Sequence, residues 1–267
     1  MIRLNEEDYF KVSEPLHQLP INTLFAQAVI NGQVQGIVFV DDILEPSAFY
    51  VVHPQGMSLL FGHTENLLFH QKLRDYLLDS QGLRTKQEWL QVYPDSWNDY
   101  IRQWTASDLI LEDSRVNFTF NRQKFEAAAS HCRSYSDQPA IITPTTKEIF
   151  LGLEGRVIPK DYWKDAEQFL ASGAGYSLIE NGAAVSTAFS AYFIGNQLEI
   201  GIETAEDARG KGYAFQVSQA LISYCLENGL EPVWSCRREN EASYLLAQKL
   251  GFIPSLSIPY YRFPSCS

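Results

Sequence analysis

A chain of 267 residues with 45% hydrophobic and 13% aromatic residues holds enough apolar material for one large or two smaller packed domains, and it carries no low-complexity tract. Its formal net charge of −11 argues against nucleic acid or an anionic membrane as the main partner, since both reward basic patches; the balance suits an amine-bearing ligand, or simply solubility. No apolar run approaches the length that crosses a bilayer and the start, Met1 to Asp8, is acidic, so a cytoplasmic location is expected; four cysteines without CxxC spacing and five scattered histidines predict neither disulfides nor a metal.

The first half shows strand patterns at residues 35–40, 48–52 and 58–61, separated by Pro and Gly, which predict a mostly antiparallel sheet. A helix follows through Asn66, Leu67, Leu68, Leu73 and Tyr76, and Trp89, Trp97, Tyr100, Ile101 and Trp104 supply a heavy aromatic layer. Periodicity breaks at residues 130–139, which divides the chain into domains 1–133 and 134–267. Next come a helix over residues 160–170, begun behind Pro159, and two strand patterns, 176–180 and 184–189, around the hairpin signal Asn181-Gly182.

A further strand alternates Leu198, Ile200, Ile202 and Thr204 with Glu199, Gly201 and Glu203, and it leads into Arg209-Gly210-Lys211-Gly212-Tyr213-Ala214. An amphipathic helix then presents Val217, Ala220, Leu221 and Tyr224 on one face and stops at Asn228-Gly229. Two glycines just ahead of a helix let the backbone approach a ligand, the unpaired N–H groups of the first turn point at it, and Arg209 and Lys211 add mobile positive charge. Such a turn prefers a diphosphate. Glycines are also common in ordinary turns, so the context carries the weight. A buried strand at residues 232–236 and a second helix, capped by Asn240 and running through Leu245, Leu246, Ala247 and Leu250 to Gly251, complete the pattern.

In their order and spacing these residues resemble the GCN5-related N-acetyltransferases, whose acetyl-CoA motif is matched by Arg209, Gly212 and Ala214 and whose later Asn-helix-Leu-Gly-Phe motif is matched from Asn240 to Leu250-Gly251-Phe252. The likeness covers roughly residues 135–267 and implies an α/β fold with a mixed, mostly antiparallel sheet flanked by helices. The first half loosely repeats the same element order without the turn, as a degenerate copy of that fold would. Packing against the catalytic half as a wall of the substrate cleft is one role for it; a scaffold or dimerisation domain, and with it a homodimer, is the other. The runs Leu153-Glu154-Gly155-Arg156, residues 200–204 and Trp234-Ser235-Cys236 look most like a bacterial subgroup related to zwittermicin A resistance acetyltransferases.

The resemblance implies transfer of an acetyl group from acetyl-CoA to a small-molecule amine by direct attack in a ternary complex. It further implies that backbone groups at Ile202, Glu203 and Thr204 hold the pantetheine arm and thioester carbonyl, that Arg209, Gly210, Lys211, Gly212, Tyr213 and Ala214 hold the diphosphate, and that Asn240 and Ser243 reach the coenzyme. As general base the candidate is Glu203, with Glu199 more simply a solvated or paired strand residue. Many family members place an acidic Tyr seven residues after the motif Asn, where this chain has Ala247; Tyr244, Tyr260 or Tyr261 are the substitutes, or water. Cys236 and Trp234 read as core residues. Two other functions stay open: a non-catalytic acetyl-CoA sensor, favoured by the missing Tyr, and a protein or peptide N-acetyltransferase, which an open groove would suggest.

Overall fold

The period-2 runs of β-branched and aromatic residues form strands throughout a computed structural model that describes residues 1–80, 82, 84, 86–104, 110–131 and 141–264. In chain order the elements are β1 Ile2–Arg3, α1 Phe10–His17, α2 Leu24–Ile30, β2 Ile37–Val40, β3 Ala48–Val52, β4 Met57–Gly62, α3 Leu67–Leu77, β5 Glu88–Tyr93, α4 Ser96–Trp104 and β6 Leu111–Phe120. There follow α5 Arg122–His131, β7 Ile141–Pro144, α6 Lys147–Gly152, α7 Ala166–Ser172, β8 Gly175–Glu180, β9 Ala183–Ile194, β10 Gln197–Thr204, α8 Tyr213–Glu227, β11 Glu231–Val233, β12 Ser235–Arg237, α9 Glu241–Lys249 and β13 Phe252–Phe263.

Two compact units result. Unit 1 comprises Met1–Val116, Arg237–Glu239 and Leu256–Ser267; unit 2 comprises Asn117–Cys236 and Asn240–Ser255. The boundary expected at 133/134 lies outside the described residues, and the C-terminal segment belongs to unit 1, so the units are not two consecutive halves.

Each unit carries the same mixed topology. In unit 1, β1 to β4 pair antiparallel in sequence order and β5 then joins β4 in parallel across α3. In unit 2, β7 to β10 pair antiparallel in sequence order and β11 joins β10 in parallel across α8. The repeated order and polarity are those of one fold built twice. In unit 1 the last part of β13 extends the sheet beyond β5, with Tyr260 opposite Gln91.

Alternation sorts the unit 1 core. Tyr50, Leu60, Leu90, Val92, Tyr261 and Phe263 point to one face of the sheet and bury against Phe69 and Leu73 of α3 and Trp97 and Ile101 of α4. Trp89 therefore faces the other side, where it stacks on Tyr260 with centroids 5.0 Å apart, and the expected single aromatic layer is divided by the sheet.

Two local expectations need correcting. Residues 160–170 are not one helix: a 3-10 turn at Pro159–Asp161 gives way to α7, because Asp165 caps a new start by accepting from the Gln168 N–H at 2.8 Å. Residues 232–236 are not one strand either, since the chain breaks at Trp234 and β11 and β12 lie in different sheets. Among the described residues no helix is long and apolar enough to cross a membrane, and no group of three or more His, Cys, Asp and Glu side chains is placed to hold a metal.

Candidate active site

The site starts from a strand that loses its neighbour. β10 pairs with β11 only from Gln197 to Glu199, whereas on its other edge it stays paired with β9 as far as Thr204. A register shift falls between Glu199 and Ile200, at the point where the partnership with β11 ends. Trp234, 2% exposed, anchors the departing chain by donating its indole N–H to Ser243 Oγ at 3.2 Å. Among the described residues no strand covers that edge of residues 200–204, so backbone groups there, apart from the N–H and C=O of Thr204 that meet Glu203 and Arg209, are left to a ligand.

Beyond β10, residues 205–212 form a turn that ends at Gly212, the residue just before α8. Gly210 and Gly212 have φ of +79° and +80°, where only glycine is unstrained, and a Cβ on either would meet nothing within 4 Å. No side chain caps α8, so its first N–H groups, from Tyr213 onward, point out of the helix end beside that open backbone. An uncapped helix N-terminus with room in front of it fits a diphosphate.

The cations of the turn are already engaged. Arg209 donates from Nε to the Thr204 carbonyl at 3.2 Å and lies 3.6 Å from a Glu203 oxygen, which ties the entry of the turn to its own strand. Lys211 lies 3.2 Å from Glu180, and the Tyr213 hydroxyl donates to the same carboxylate at 2.5 Å. The Tyr213 bond first, and Lys211 second, hold the Glu180 carboxyl below the usual carboxylate range. Glu180 was not a sequence candidate. It stands 31 residues from Lys211, beyond any helical or hairpin spacing that could have linked them.

The remaining expected residues are placed as follows. Ile202, Glu203 and Thr204 end β10, and the Thr204 hydroxyl is bonded to Ser186 Oγ at 2.8 Å. Ala214 lies in the first turn of α8. Asn240 caps α9 by accepting from the Ser243 N–H at 3.2 Å, and Ser243 is the partner of Trp234, so both serve the local fold. Tyr244 is half-buried against Phe118, with ring centroids 5.5 Å apart. Tyr261 is a core residue of unit 1: it is 1% exposed and its hydroxyl donates to Asn98 Oδ1 at 2.8 Å, so the role of acid does not fit it. Tyr260, 2% exposed beside Trp89, is likewise committed to packing. Ala247 is fully buried, and the position of the family Tyr belongs to the core here. Glu199, 4% exposed at the end of the β10–β11 pairing, accepts from Ser235 Oγ at 2.5 Å.

Glu203 does not stand free as a base. Its Oε2 accepts the N–H groups of Arg156 at 2.8 Å and Val157 at 3.0 Å, and its Oε1 accepts that of Thr204 at 3.2 Å. It lines a cleft in unit 2 of about 450 Å³, together with Glu148 on α6, Leu153 and Glu154 just after that helix, Val185 on β9, and Ala205. Among the described residues, three carboxylates and no Lys or Arg line this cleft.

A family model described as GNAT acetyltransferase matches residues 14–261, far beyond the stretch on which the sequence motifs stand. The chain is 26% identical over 231 residues to the uncharacterized N-acetyltransferase YdfB of Bacillus subtilis (strain 168), covering 85% of each. Its fold is similar to that of a GCN5-related N-acetyltransferase-like protein from Streptococcus suis, with a TM-score of 0.72 at 24% identity over 96% of this chain and 98% of that one. It is also similar to a tandem GNAT protein from the clavulanic acid biosynthesis pathway, with a TM-score of 0.63 at 9% identity over 100% and 98% of the two chains. With the family model spanning both units, and two copies of one topology beneath it, the chain belongs to the GNAT acetyltransferase family and is an acetyltransferase.

Proposed function

We propose that the chain transfers an acetyl group from acetyl-CoA to the primary amine of a small cationic molecule by direct attack in a ternary complex. The observation that carries this reading is the bare N-terminus of α8 behind Gly210 and Gly212, next to an unpaired edge of β10. When bound, the coenzyme supplies an acyl group activated as a thioester. The N–H groups that begin with Tyr213 and Ala214 hold its diphosphate, Arg209 and Lys211 exchange their carboxylate partners for it, and backbone groups at residues 200–204 receive the pantetheine arm and orient the thioester carbonyl.

The cleft walled by Glu148, Glu154 and Glu203 supports a cationic acceptor, because among the described residues its lining carries carboxylates and no Lys or Arg, a surface that attracts an ammonium. The amine attacks as the neutral base. Its proton leaves through water, and Tyr244 or water returns a proton to the departing thiolate. The narrower sequence likeness to zwittermicin A resistance acetyltransferases supports aminated antibiotics as one acceptor class. An acetyl-CoA titration by calorimetry, followed by a free-thiol release screen over polyamines, amino acids, aminated antibiotics and short peptides, tests the reading. Release with one cationic class is expected. Release only with peptides would overturn the small-molecule acceptor, and absence of coenzyme binding would overturn the whole assignment.

A further inference from the structure

We propose that Glu203 is a positioning residue that fastens residues 154–157, the segment carrying Glu154 of the acceptor cleft, to the start of the coenzyme turn. What the cleft holds rests on the transferase reading above; the fastening itself does not.

The stretch between α6, which ends at Gly152, and the 3-10 turn at Pro159–Asp161 belongs to no helix or strand. Two of its backbone N–H groups, those of Arg156 and Val157, end on one oxygen of Glu203 across 47 and 46 residues of sequence. The other oxygen accepts from Thr204 and faces Arg209 of the turn at 3.6 Å. One carboxylate thus joins the segment that carries Glu154 to the residue expected to meet the diphosphate.

The loop is laid directly on the carboxylate. Gly155 has φ +147°, and a Cβ there would sit 2.6 Å from Glu203 Cγ and 2.8 Å from its Cδ and Oε2. Ordinarily a glutamate side chain would swing aside, but this one is pinned by backbone donors on both oxygens, so glycine at 155 and glutamate at 203 are fitted to each other. Two backbone donors already share Oε2, and Oε1 accepts from Thr204 and faces Arg209, an arrangement that favours holding over proton transfer.

The test compares the full chain with Glu203→Ala, Glu203→Gln and Gly155→Ala. Amide hydrogen exchange at Arg156 and Val157 should speed up at least about tenfold in Glu203→Ala, since each loses a charge-assisted bond. In turnover, KM for the amine should rise about fivefold or more with kcat within about twofold and the acidic limb of the pH–rate profile unmoved, with Glu203→Gln between the two because its carbonyl still accepts. Unchanged exchange would overturn the latch. A fall in kcat of about 10² or more together with loss of the acidic limb would make Glu203 the base instead. Should Glu203→Ala fail to fold, Gly155→Ala keeps the carboxylate but pushes it off the loop, and the same exchange and KM changes are expected; their absence is equally decisive. A wild-type chain that binds no acetyl-CoA would overturn the transferase reading, while exchange at Arg156 and Val157 still decides the latch.

Discussion

The connections β4–α3 in unit 1 and β10–α8 in unit 2 hold the same place in one repeated topology, yet the first is sealed and the second is open. In unit 1 the parallel strands stay paired from Met57 opposite Trp89 to Phe61 opposite Tyr93, whereas in unit 2 the equivalent pairing ends after Glu199. The unit 1 turn is short, residues 63–66, and Asn66 caps α3 by accepting from the Phe69 N–H at 3.0 Å; the unit 2 turn is twice that length and ends in an uncapped Gly212. Between α3 and α4, His70 lies against the rings of Tyr100, Trp97 and Trp104 with centroids 4.4, 4.8 and 5.8 Å away, and Trp97 donates its indole N–H to the Gly62 carbonyl. The aromatic residues that make the first half look rich in sequence thus pack together beside the β4–α3 connection. A coenzyme cradle requires donors left unsatisfied and strands left unpaired, and a copy that satisfies both gains stability and gives up the ligand.

That contrast can be broken most severely at Trp97. Trp97→Ala removes a fully buried ring and should destabilise the chain by about 3–5 kcal/mol, read from urea unfolding, with acetyl-CoA affinity of the folded protein unaltered. A large loss of affinity would mean that the two units do not divide the labour as stated. In unit 2, Gly212→Asp puts a side chain and a negative charge in the open φ +80° position, and calorimetry should show a loss of acetyl-CoA affinity of about 100-fold or more. The wild type should take up one equivalent per chain, and a second equivalent would break the comparison outright. A smaller effect is expected at Asn66→Ala, where loss of the cap should cost about 1 kcal/mol in unfolding without opening a second coenzyme site. The mildest is Glu180→Gln, which frees Lys211 and removes a negative charge beside the turn; affinity for acetyl-CoA should rise about two- to fivefold at low salt and the gain should fade at high salt. Weaker binding would show that Glu180 organises Lys211 and Tyr213 for the coenzyme rather than competing with it.

Much of the frame was legible because its signals are local. The turn at residues 209–214, the Asn181-Gly182 hairpin with φ of 52° and 80°, the Asn240 cap and the Gly251 stop each depend on residues a few positions apart, whereas Asn66, read within its helix, is its cap. The first half's kinship with the second showed only faintly, because strand order and polarity repeat while the turn chemistry does not. The site's side chains were read less well. Glu203 looked like a base because its strand position faces a cleft, but the partners that occupy it are backbone N–H groups far along the chain, which no side-chain pattern announces.

The sequence by itself determined most of the helix and strand segments, since periodicity and capping act over a turn or two, and its motifs carried the resemblance to the acetyltransferase family that the family model shows. Only the tertiary structure decided that the chain changes sheets at Trp234, that rings pack around His70 in unit 1, that Tyr261 is core, and that Glu180 and Glu203 are engaged. Each of these rests on burial or on a hydrogen bond between residues distant in the chain, where the energy comes from what the folded backbone brings together and not from local preference.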